Sequence, residues 1–129
     1  MALRIALDTN RYTDLARGLP EVVELVEHAD GVILPFVVLA ELRAGFSLGR
    51  RGAENERILS RFLGKEGVDT LFPDDQTTRH YAAIFRQLRG QGTPIPTNDL
   101  WVAALVLQHD LVLCDRDSHF DNLPQMVRI

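Results

Sequence analysis

The sequence predicts one three-layer α/β domain spanning residues 1–129, with a mainly parallel sheet of four to five strands. Three observations predict it. Short β-like runs alternate with longer segments of helical period, the order that builds βαβ units. The chain has 129 residues, 46% of them hydrophobic, which suits a single buried core and leaves no room for a second. No internal repeat, low-complexity tract, charge block or linker divides it.

The elements follow in order. "RIAL" (Arg4 to Leu7) is the first strand. Pro20 opens a helix running through Ala29, with Val22, Val23, Leu25 and Val26 as its apolar face. "VIL" (Val32 to Leu34) is a second strand, and Pro35 to Leu48 a second helix. Gly49 and Gly52 punctuate the chain before a third helix, Ala53 to Leu63, where Ile58, Leu59 and Phe62 recur at helical spacing. "VDTLF" (Val68 to Phe72) is a strand. Asp74 and Asp75 cap the next helix, which carries Tyr81, Ile84, Phe85 and Leu88 and ends at Gly90. The turn "TPIPT" leads into a helix from Asn98 to His109. "LVLC" (Leu111 to Cys114) is a strand, and "MVRI" a weak final one.

Composition removes several functional classes. No run approaches the roughly 18 apolar residues that cross a bilayer, and "MALRIALDTN" lacks the features of a signal peptide, so the expectation is a cytoplasmic protein without a membrane partner. Cys114 is the single cysteine and no histidine pair has His-x-x-x-His spacing, which argues against a disulfide framework or a zinc site. The net charge of −4 argues against broad phosphate neutralisation by a basic surface. Lys65 is the only lysine, however, so the basic residues are otherwise arginine, which forks onto phosphate or carboxylate.

The acids carry the chemistry. Asp8 ends the first strand in "IALDTN", and Asp115 and Asp117 follow a late strand in "CDRDSHF". In open parallel sheets, sites gather at the carboxyl ends of strands. Glu41 lies on the helix "PFVVLAELRAGF", where its neighbours Val37, Val38, Ala44 and Gly45 include no base. Asp99 falls in the first turn of a helix too apolar to stand at the surface. Each has a plain reading, as a turn residue, an edge glutamate or a first-turn acid. Together they cannot all ionise cheaply: like charges about 4 Å apart repel by about 4 kcal/mol at an effective dielectric of 20. A hard divalent cation with oxygen ligands, Mg²⁺ or Mn²⁺, relieves that repulsion.

"LDTN", "LAEL", "PTNDLWVAA" and "DRDSHF", in that order, resemble the motifs of PIN-domain ribonucleases, specifically the VapC-type toxins of bacterial toxin–antitoxin pairs. The resemblance spans nearly the whole chain. It implies a PIN-like α/β/α fold and a Mg²⁺- or Mn²⁺-dependent endoribonuclease, with RNA as substrate, a cognate antitoxin as partner and a homodimer as the assembly. By that likeness Asp8, Glu41, Asp99 and Asp117 form the acidic cluster, Thr9 orients ligands, and Asn10 and Asn98 support the acids beside them. The family usually has Thr or Ser where this chain has Asp115, an extra acid that could join the metal shell or alter the contact to a substrate hydroxyl. Arg11 and Arg116 are candidates to steer RNA, and Arg43 to Arg61 a candidate interface. His119 reads as a loop histidine, and Tyr81, Trp101 and Phe120 as packing residues.

Three rivals stand beside this reading. A receiver domain also binds Mg²⁺ at strand ends but needs a lysine after a late strand, where this chain has none. A haloacid-dehalogenase-type phosphatase needs Asp-x-Asp at the first strand, where Asn10 stands instead of the second aspartate. A non-catalytic PIN-like module that only binds a partner would be expected to have lost site acids.

Overall fold

The computed structural model describes residues 2–129. Four parallel strands form the sheet: β1 (Arg4–Leu7), β2 (Gly31–Pro35), β3 (Val68–Leu71) and β4 (Val112–Cys114), in spatial order β3-β2-β1-β4. Six helices cover its faces: α1 (Thr9–Ala16), α2 (Pro20–His28), α3 (Phe36–Leu48), α4 (Gly52–Leu63), α5 (Asp75–Gln91) and α6 (Thr97–Gln108). This is the expected three-layer α/β/α arrangement. Among the described residues no helix is long and apolar enough to cross a membrane.

The strand order fixes where a site can form. The chain leaves β1 for β2 and then β3 on one side, and returns to place β4 on the other side of β1. The crevice at the carboxyl ends of β1 and β4 is therefore the point where the winding reverses, the usual ligand position in such sheets. Leu7 pairs with Cys114, and the Asp8 amide donates to the Cys114 carbonyl at 3.1 Å. Asp8 thus stands beside the residues that leave β4.

The core explains why these strands pair. Ile5, Ala6, Leu7, Leu34 and Leu113 are fully buried, so β1 and its neighbours carry apolar side chains to both faces. Helix α6 is buried along Leu100 and Val102 through Val106, with Ala103 and Ala104 thin enough to admit close neighbours. Cys114 is buried at the end of β4 as a free thiol. Helix α5 starts on a reciprocal cap, with Asp74 accepting from the Thr77 amide and Thr77 Oγ1 accepting from the Asp74 amide. Gln108 donates to Asp74 at 2.9 Å, tying the end of α6 to that cap.

Three differences from the sequence reading have local causes. Helix α1 goes unread in the sequence because "TNRYTDLA" offers little apolar period; its inward residues are Tyr12 and Asp14, and Asp14 is admitted by arginine partners. Helix α5 passes through Gly90 and stops at Gln91, because Gly92 is the glycine that takes the left-handed conformation, with φ 71°. The segment "MVRI" makes a single parallel bridge, Leu113 to Arg128, flanked by Leu113 N–H to the Val127 carbonyl and Ile129 N–H to the Leu113 carbonyl, both 2.9 Å.

The turn from α3 to α4 is tight. A Cβ added at Gly52 would stand 2.5 Å from the Phe46 carbonyl oxygen, so only glycine fits without a backbone shift. Gly52→Ala should lower stability by about 1–3 kcal/mol, read as a reduced urea midpoint at unchanged m-value.

Candidate functional site

Asp8 occupies the cap position of α1 with extended backbone, yet its side chain makes no capping hydrogen bond. The carboxylate is instead turned into a hollow, and the residue as a whole is only 6% exposed. Burial pushes its pKa up to about 6; the Thr9 amide works against the rise, while Asp99, Glu41 and Asp117 add to it. Those three contributions come from α3, α6 and the segment after β4. The structure therefore brings together four acids that are scattered along the sequence.

Glu41 lies at the lip of this hollow. Helix α3 buries Val37, Val38, Leu39 and Leu42, and Glu41 is exposed beside Ala44, with no base among its helical neighbours. Its pKa is raised by partial desolvation first and by Asp99 and Asp117 in addition; the Thr9 hydroxyl opposes the rise. That hydroxyl is buried and finds no well-formed hydrogen bond of its own. Asn10 and Asn98 are exposed, and among the described residues neither hydrogen-bonds to the four acids.

Asp99, in the first turn of α6, is also raised by desolvation, with the hydrogen bond from His119 lowering it and Asp117 raising it. Asp117 caps a 3-10 turn, Ser118–Asn122, by accepting from the His119 amide at 2.9 Å. The turn folds the His119 ring back over both acids: Nδ1 lies 2.8 Å from Asp99 and 3.1 Å from Asp117. The imidazole pKa is raised, chiefly by the hydrogen bond to Asp99. Asp99, Asp117 and His119 each offer a ligand atom, all within 4.8 Å of one another, a span one ion can bridge. His119 is the functional neighbour that sequence reasoning set aside; its position two residues after Asp117 was the available signal.

Asp115 is turned elsewhere. Its side chain is 1% exposed, and Arg128 donates to both oxygens, Nε to Oδ1 at 3.0 Å and Nη2 to Oδ2 at 2.8 Å. The Asp117 amide also donates to Oδ2 at 3.0 Å. Arg11 and Arg116 are likewise engaged, both on Asp14: Arg116 through two hydrogen bonds of 3.0 and 3.2 Å, Arg11 through one of 3.3 Å. Phe120 is fully buried, and Tyr81 packs on Trp101 with ring centroids 4.5 Å apart.

The donor set suits a divalent cation. Carboxylate oxygens crowded enough to raise the pKa of Asp8 and Glu41, together with one imidazole, are what a hard or borderline ion would satisfy. A separate groove of about 570 Å³ is lined by Tyr12, Val23, Val26, Ile58, Phe62 and Gly67, next to the amino ends of β2 and β3. It shares none of the four acids.

Residues 5–125 match the family model of the PIN domain. The chain belongs to the PIN-domain family. It is 34% identical over 111 residues to Ribonuclease VapC1 of Haemophilus influenzae, covering 83% of this chain and 81% of that one. It is 29% identical over 116 residues to Ribonuclease VapC5 of Mycobacterium tuberculosis, covering 88% and 83%. The structure of VapBC-1 from nontypeable Haemophilus influenzae superposes with a TM-score of 0.86 at 27% identity, over 98% of this chain and 97% of that one. For this PIN domain the superposition agrees with the three-layer α/β/α fold.

The raised pKa values set the pH dependence of the metal-free protein. Asp8 binds its proton more tightly folded than unfolded, so the stability it contributes is complete below pH 3.8 and is lost as pH climbs towards 6. Glu41, Asp99 and His119 are raised as well and act in the same direction. Asp14 and Asp74 are held low by their hydrogen bonds and change charge below this window. In a chelator, the urea midpoint should be higher at pH 5 than at pH 7.5, with Asp8 supplying at most about 1.4 kcal/mol of the difference, since only about one pH unit of its shift lies above pH 5. Asp8→Asn should flatten that slope; an equal slope in the variant would show that Asp8 is not its source.

Proposed function

We propose that this PIN domain is a divalent-metal-dependent endoribonuclease that acts as the toxin of a toxin–antitoxin pair. The observation that carries the reading is the convergence of Asp8, Glu41, Asp99 and Asp117 on one hollow at the β1–β4 crevice, where their charges oppose one another. The names of its relatives support the activity and the pairing: VapC1 and VapC5 are named ribonucleases, and the structures of similar fold include VapBC-1.

In this reading Asp8, Asp99 and Asp117 hold the metal, Glu41 places a second ion or orients the attacking water, and Thr9 orients the ligands beside Asp8. Asn10 and Asn98 flank two of those acids from the first turns of α1 and α6. We take the ion to be Mg²⁺ or Mn²⁺, which lowers the pKa of a bound water and offsets charge on the phosphoryl oxygens when bound. The protein's own part is to fix the oxygen ligands at the end of β1, in the first turn of α6 and at the capped turn after β4, so that little ordering remains when the phosphodiester arrives. His119, hydrogen-bonded to two of the acids, helps hold them in the spacing they have without the ion.

RNA is the substrate in this reading. For the antitoxin, the groove between α1, α2 and α4 offers a surface separate from the acids. A homodimer in the cytoplasm completes the proposal.

The reading is tested on protein purified free of antitoxin. Asp8→Asn and Asp99→Asn should each reduce Mg²⁺- or Mn²⁺-dependent cleavage of RNA by more than about a hundredfold while leaving the far-UV spectrum unchanged. Chelation should abolish wild-type cleavage and added metal restore it. Full activity in either variant would overturn the assignment, and sequencing of RNA ends after brief induction would define the sites cut.

A further inference from the structure

We propose that Arg128, acting with Asp115, is a positioning residue that fixes the backbone of Asp117 and so sets how tightly the acidic hollow holds a divalent cation. The inference rests on the metal reading above and deepens it. Asp117 belongs to no strand or helix, and its carboxylate is useful only if the segment after β4 is held still.

Two residues hold it from both sides. The Asp117 amide donates to Asp115 Oδ2 at 3.0 Å, and the Asp117 carbonyl accepts from Arg128 Nη2 at 3.0 Å. The same Nη2 donates to Asp115 Oδ2 at 2.8 Å and Nε to Oδ1 at 3.0 Å, so the fork joins the two contacts into one unit. Both peptide planes flanking the Asp117 side chain are thereby fixed, and the carboxylate is left free to face Asp99 and His119.

The clamp is itself anchored. Arg128 is set in register by the two main-chain bonds between Leu113 and residues 127 and 129. Asp115 follows β4 directly and is almost wholly buried, which confines the pair to one geometry. Arginine is required here because a lysine ammonium would meet Asp115 as a point charge and could not also reach the Asp117 carbonyl in the same plane. The third nitrogen, Nη1, donates to Asp121 at 2.6 Å on an exposed side and touches nothing of Asp117.

That asymmetry supplies the test. Mn²⁺ affinity is measured by electron paramagnetic resonance on the wild type, Arg128→Lys, Asp115→Asn and Asp121→Asn, with a urea unfolding curve for each. Arg128→Lys should fold and bind Mn²⁺ about ten- to a hundredfold more weakly, and Asp121→Asn should stay within about twofold of wild type. RNA cleavage by Arg128→Lys should lose kcat with KM little changed. Should Arg128→Lys fail to fold, Asp115→Asn, which keeps the side-chain shape, gives the same reading through weakened Mn²⁺ binding. Folded variants at both positions with wild-type Mn²⁺ affinity would overturn the role of the clamp alone. A wild type that binds no Mn²⁺ would overturn the metal reading and this role with it.

Discussion

Between Leu7 and Cys114 the backbone joins strands that lie far apart in the sequence, and the Asp8 amide extends that pairing by one more hydrogen bond. This adjacency is what gives the molecule a site. It places the end of β1 against the exit from β4, so that Asp8 and the 115–117 segment share a crevice, and it lets α3 and α6 bring Glu41 and Asp99 to the same place. Without it the four acids would be ordinary surface charges, each solvated and none affecting another. With it, burial and repulsion between the acids act on Asp8, Glu41 and Asp99, most strongly on Asp8.

The arrangement works against folding in one respect and for function in another. An apolar side chain at position 8 would sit more comfortably beside Cys114 than an aspartate does, since an ionised group in that setting loses solvation that its neighbours cannot return. The compensations lie close by and are uneven. Asp14 has two arginines and Asp115 has one, whereas the acids of the hollow share a single imidazole. Cationic side chains thus neutralise the acids that hold the fold and are withheld from the acids that face the hollow. That division separates an acid with a structural partner from one left facing the hollow better than burial does, because Asp115 is more deeply enclosed than Asp99 or Asp117.

Much of this was legible in the sequence, and the limits have physical reasons. The strands and five of the six helices stand out because each has apolar residues at its own period, and the acids stand out because they interrupt those patterns. Helix α1 is hidden because its buried residues include an aspartate, whose partner Arg116 is found only once β4 lies beside β1. The same holds for Asp115, which looks like a further ligand until Arg128 is seen to take both its oxygens. His119 reads as a loop residue because the 3-10 turn that folds its ring towards Asp99 depends on a contact between distant segments. Periodicity reports which side of an element faces inward; it carries no information on which charge meets which.

Cys114 has a practical consequence of a different kind. It is the sole cysteine of the chain, it lies beneath the sheet's surface at the end of β4, and burial pushes its thiol above the usual range. A thiol that stays protonated and shielded reacts slowly with alkylating agents and peroxide. A cysteine introduced on an exposed helix face can therefore carry a spin label or fluorophore without the native one being removed, and reducing agents are not needed to preserve the fold.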